Sequence, residues 1–82
     1  MAQVYILEGK RFYIGSTDNL IDRLKDHRRG NTPTTKRIGN WILAWKKEVK
    51  TLKIAREMER KIKRWKNRKM IEYLIQGKID IQ

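Results

Sequence analysis

Eighty-two residues without a cysteine leave this chain one route to a stable fold: a single apolar core, packed economically. Neither a disulfide frame nor a thiolate metal site can support it. Folded units rarely divide below about 50 residues, which predicts one domain over residues 1–82. A chain this short hides only about 60% of the surface it exposes when unfolded. Hydrophobic residues supply 39% of the sequence, including 3 Trp and 3 Tyr, enough for one such core. The charged 37% is interleaved with them rather than gathered in blocks, which argues against disorder.

Charge narrows the partner. Lys plus Arg number 21 against 9 Asp plus Glu, a net charge of +12. Cations in that excess displace counterions condensed on nucleic acid, so a polyanionic partner is expected. The plainer reading is a surface enriched in Lys and Arg for solubility, and composition alone does not separate binding from cutting. The longest apolar run, Trp41 to Trp45, is far short of the roughly 20 residues that span a bilayer, so no membrane role is expected. The first residues enter a β-like segment without a basic-then-apolar export signal, and a cytoplasmic location is the simplest expectation.

Aromatic and β-branched residues predict strands at Gln3 to Glu8 and at Lys10 to Gly15, with Gly9 between them as a hairpin signal. A two-residue turn at Gly9-Lys10 sets Tyr5 opposite Ile14 and sends Tyr13 to the other face. A three-residue loop, Glu8-Gly9-Lys10, puts the two tyrosines across from each other. Thr17 and Asp18 offer N-caps for a helix from about Asn19 to Arg29, ended by Gly30. Asn31 to Asn40 reads as a loop and Trp41 to Val49 as a strand. Thr51 can cap a long helix to about Trp65, and Lys66 to Gln76 forms another, ended by Gly77. The expected class is α/β: a small three-stranded, mainly antiparallel sheet flanked by helices in the order β-β-α-β-α-α.

At roughly 100° per residue, Leu20, Ile21 and Leu24 share one apolar arc of the first helix. Arg23 and His27 stack beside that arc, four residues apart. Each alone reads as a snorkelling Arg and a packing His. On the long helix, Leu52, Ile54, Ala55, Met58, Ile62 and Trp65 share one half of the circumference, and Glu59 falls inside that half. Lys53, Arg56, Arg60, Lys63 and Arg64 cluster on the opposite side, as a phosphate-tracking stripe or a solvated face. A carboxylate on a core-facing arc is costly unless it pairs with a cation, Arg23 being one candidate, or binds a metal.

These residues fall in the order and spacing of the GIY-YIG nuclease family, and the chain resembles its short stand-alone bacterial members. The first motif reads Gln3-Val4-Tyr5 and the second Tyr13-Ile14-Gly15; Arg23 follows eight residues later and His27 four after that. Trp41-Ile42-Leu43 resembles the family's third strand, and Ala55 to Trp65 its Glu-bearing helix. The resemblance runs from about Val4 to Ile75. Gln3 replaces the first motif's Gly, a change that touches strand packing more than chemistry.

The resemblance implies an endonuclease that hydrolyses DNA, duplex or branched, with RNA open as a second polyanion. It implies that Glu59 holds one Mg²⁺ or Mn²⁺, hard cations that prefer oxygen ligands. Tyr5 is then the candidate general base, which requires neighbouring cations to favour its phenolate. Arg23 binds phosphate and biases that tyrosine, Tyr13 positions water or phosphate, and His27 hydrogen-bonds or shares in proton transfer. Gly15 permits close backbone approach. Lys36, Arg37 and Lys63 are candidate nucleic-acid contacts. The competing reading is a non-catalytic basic module that binds nucleic acid without cutting it; a structural protein basic only for solubility is the third.

Overall fold

Val4, Tyr5, Ile6 and Leu7 are consecutive apolar residues, and a strand turns successive side chains to opposite faces, so this run needs cover on both sides. The computed structural model, which describes residues 1–30 and 39–81, supplies that cover by making the strand central. The elements are β1 (Ala2–Glu8), β2 (Phe12–Thr17), α1 (Leu20–Arg28), β3 (Ile42–Val49), α2 (Leu52–Trp65) and α3 (Arg68–Ile75). The sheet order is β2-β1-β3 with both pairings antiparallel, in the expected β-β-α-β-α-α sequence.

The hairpin adopts neither anticipated turn. Glu8 pairs with Phe12, leaving Gly9, Lys10 and Arg11 as the loop, closed by the Gly9 amide donating to the Arg11 carbonyl at 3.1 Å. Tyr5 therefore faces Gly15, and Tyr13 faces Leu7. Relative to the expected three-residue loop, the register has moved by two. A shift of two preserves the side-chain face, so the tyrosines share one side of the sheet as diagonal neighbours.

Each face carries its own core. On one, Tyr5, Leu7 and Leu20 are buried with Tyr13, Leu24, Trp41 and Leu43 packed against them, beneath α1. On the other, Val4, Ile6 and Ile14 meet Ala55 and Ile62 of α2 and Ile71 and Leu74 of α3. The stripe of α1 that reaches the sheet is narrower than expected. Leu20, Leu24 and His27 follow the i, i+4, i+7 line, while Ile21, one position off it, is 70% exposed. Ile54 of α2 likewise turns outward. The first helix is capped by Asn19, whose side chain accepts from the Asp22 amide, rather than by Thr17 or Asp18. Thr51 caps α2 as expected, accepting from the Ile54 amide.

Candidate active site

β2 is an edge strand, so the groups on its two faces are separated by only the width of one strand. Tyr13 and Gly15 belong to the α1 face and Ser16 to the α2 face. Arg23 comes from α1 on one side, and Glu59 from α2 on the other. All five line one cleft of about 470 Å³, together with Arg56, Arg60 and Lys63. The chain thus brings the two halves of the motif together across the edge of the sheet.

Glu59 is not a core residue. Its side chain is 22% exposed, and it is held from two directions. The Ser16 hydroxyl donates to Oε1 at 2.6 Å, and Lys63, one helical turn on, places Nζ 2.7 Å from Oε2. Arg23 is not its partner. The basic stripe expected on the opposite side of α2 instead reaches around to the cleft through Arg56, Arg60 and Lys63.

Arg23 lines the cleft with Glu59 and Tyr13. Its guanidinium interacts with the hydroxyls of Tyr5 and Tyr13, which raises its pKa above the ordinary arginine value. Its Nε is buried without a hydrogen-bond partner. An orphaned buried donor of this kind is a local cost of the arrangement.

Behind the cleft, Tyr5, Tyr13 and His27 form an aromatic triangle with ring centroids 6.1 Å (Tyr5–Tyr13), 5.9 Å (Tyr5–His27) and 5.1 Å (Tyr13–His27) apart. One hydrogen bond of 2.9 Å joins the Tyr5 hydroxyl to His27 Nε2. Tyr5 is fully buried and does not line the cleft; Tyr13 does. Burial raises the Tyr5 pKa well above its usual value, outweighing the downward pull of Arg23. The condition for a Tyr5 phenolate, that neighbouring cations dominate, is therefore not met. His27 is 1% exposed, and burial, then the Arg23 charge, lowers its pKa, so the imidazole is neutral near pH 7.

Gly15 lines the cleft and has a further reason to lack a side chain. The Tyr5 ring lies across it, and a Cβ there would stand 2.5 Å from the Tyr5 hydroxyl oxygen. Gln3 buries its Oε1 without a partner, a local cost of the residue that replaces the motif's Gly. Lys36 and Arg37 lie outside the described residues. Sequence reasoning missed Ser16, and had Arg56 and Arg60 in a phosphate-tracking stripe without placing them at this cleft. Ser16 was readable only as the residue after Tyr-Ile-Gly, and the two arginines only as part of the helix stripe.

The donor set suits a hard divalent ion sparingly. Glu59 offers one carboxylate and Ser16 one hydroxyl, and among the described residues no group of three or more His, Cys, Asp or Glu converges. A site with one carboxylate fits Mg²⁺ or Mn²⁺ when waters and substrate phosphate oxygens complete the shell. No helix among the described residues is long and apolar enough to cross a membrane.

No curated protein and no solved structure was found to match the chain. The family profile of the GIY-YIG catalytic domain does match, over residues 1–72. With Tyr13, Gly15, Arg23 and Glu59 of the motif lining one cleft and the profile spanning most of the sequence, the chain belongs to the GIY-YIG catalytic-domain family, whose function is of the nuclease type and whose partner is nucleic acid.

Proposed function

We propose that this protein is a metal-dependent endonuclease that hydrolyses DNA phosphodiester bonds, in duplex or branched DNA, within the cleft at the edge of β2. One observation carries the reading: Tyr13, Arg23 and Glu59, from three elements and both faces of the sheet, line a single cleft with three further cations. Hydrolysis requires an aligned water, neutralised phosphoryl charge and a stabilised leaving oxygen. Glu59, with Ser16 beside it, would hold one Mg²⁺ or Mn²⁺. When bound, that ion supplies positive charge to the phosphoryl and leaving oxygens.

The chain's own groups do the rest. Arg23, on the cleft wall, binds the phosphate with its planar fork. Lys63 exchanges Glu59 for a phosphate oxygen, a cheap exchange because its exposed i,i+4 pair is worth only about 0.3–0.5 kcal/mol. Tyr13, on the cleft wall, orients the attacking water. Tyr5 is too buried to touch that water. Hydrogen-bonded to His27 at 2.9 Å and packed against the Tyr13 ring, it holds Tyr13 in place on the cleft wall.

The test uses supercoiled plasmid and a branched DNA with Mg²⁺ or Mn²⁺. The parent nicks DNA, and Glu59→Ala slows nicking by at least about 100-fold, the scale of losing a group that acts on developing charge. A parent that nicks nothing with either metal, or a Glu59→Ala protein that nicks equally fast, overturns the reading. In that case the basic surface is a binding module only, recognised by steep loss of DNA affinity as salt rises.

A further inference from the structure

Lys63 borders two hollows, the cleft just described and a second of about 270 Å³. The floor of the second is apolar: Phe12 and the buried Ile14, Ile62 and Ile71. Its rim carries Arg11, Lys66 and Arg68 in addition to Lys63, and none of its lining residues is acidic. A free phosphate has no use for that floor, and a purely apolar ligand has none for four cations. A nucleotide has both an apolar face and an anionic linkage.

Phe12 supplies the matching surface. The Arg68 guanidinium already lies over its ring, 5.0 Å from the centroid, so a flat group fits against that face. Arg68 is lightly held, by an exposed 3.3 Å pair with Glu72, and moves aside at little cost. Phe12, Ile14 and Ser16 project from the same face of β2, and Ser16 touches Glu59. Four residues of strand span about 13 Å, the rise of about four stacked nucleotides. A strand whose phosphate occupies the Glu59 cleft therefore brings a nearby base to Phe12.

We propose that this second hollow seats an unpaired DNA base a few nucleotides from the phosphate that is cut, so that DNA with an overhang, flap or junction is preferred over continuous duplex. Inside a duplex each base face is covered by its neighbours; only an unpaired base can lay its face on an aromatic ring. The position of the cut phosphate rests on the nuclease reading above. The seat itself rests on the floor, the rim and the Phe12 ring.

The experiment measures binding by the whole chain in the presence of a chelator, so that no outcome depends on cleavage. Two probes carry equal numbers of phosphates: a blunt duplex, and a duplex with a single-stranded overhang in which 2-aminopurine is walked position by position. The parent binds the overhang about tenfold more tightly, the scale of stacking one base on an aromatic side chain, and quenches 2-aminopurine at one position. Phe12→Leu keeps apolar bulk but loses both the preference and the quench, while blunt-duplex affinity stays unchanged. Phe12→Trp retains both. Equal binding of the two probes by the parent, or a quench that survives Phe12→Leu, overturns the proposal. Should Phe12→Leu lose blunt-duplex binding through misfolding, the parent and Phe12→Trp decide: both must show the preference and the single-position quench. A seat found in a protein that nicks nothing sinks only the nuclease reading, and nicking without a seat sinks only this one.

Discussion

A methyl group on Gly15 would stand 2.5 Å from the Tyr5 hydroxyl oxygen and 2.6 Å from the ring carbon that bears it. Tyr5 is completely buried, so neither its ring nor the strand can yield cheaply. Gly15→Ala is expected to cost about 1–3 kcal/mol, read from urea denaturation, the range for overfilling a packed interior. Adding Tyr5→Phe does not restore the loss, because the ring carbon remains in the way; full recovery in the double variant would refute the steric account. This residue was legible as part of Tyr-Ile-Gly, but its reason was not. The reason is a cross-strand ring whose position depends on which three residues form the hairpin loop. The candidate site divides the same way. Tyr13, Arg23 and Glu59 stand out as a spaced set, whereas Ser16 matters because it touches a carboxylate 43 positions away.

At the scale of elements, the break between the last two helices falls where the sequence places it, yet the residue making the turn is unexpected. Lys66 closes α2 with φ 46° and ψ 32°, a left-handed conformation that normally favours glycine. Asn67 then caps α3, its side chain accepting from the Lys69 and Met70 amides. Lys66→Gly removes the Cβ strain and is expected to raise stability by about 0.5–1 kcal/mol. In a chain of this size that is an increase in Tm of several degrees; a lower Tm would show that the lysine is not strained. The third strand holds a second surprise. Ile6 pairs with Trp45 but Leu7 with Leu43, so Ala44 is an extra residue on β3. The bulge sends Trp41 and Leu43 to the α1 face and Trp45 to the other, although all three are odd-numbered. Alternation along the sequence cannot reveal this, since an inserted residue inverts the pattern beyond it.

For the molecule as a whole, acid is the sensitive direction. His27 is the only histidine in the chain, it is buried, and its pKa is lowered by burial and by Arg23, with Asp26 opposing weakly. Above the ordinary histidine value of about 6.5, the imidazole is neutral in both folded and unfolded states and contributes no pH dependence. Below it, the unfolded chain takes up a proton that the fold refuses. Stability therefore falls as pH drops through about 6.5, and the loss levels off once the pH is below the folded pKa. Urea midpoints at pH 7.5 and 5.5 check this: the parent loses up to about 1.4 kcal/mol, and His27→Gln loses much less. An identical drop in both proteins would assign the acid sensitivity to other groups.

The order of elements, the family, the basic character and the choice of candidate site residues follow from the sequence, because periodicity, caps and motif spacing are local properties of the chain. Tertiary structure decided the rest. It chose a hairpin loop that brings Tyr5 over Gly15, buried the first tyrosine so that its proton is held more tightly, and left the second at the cleft. It also wrapped the carboxylate and the arginine around opposite sides of one edge strand. Those outcomes depend on strand register and on desolvation, which arise only when residues distant in the chain meet and exclude water.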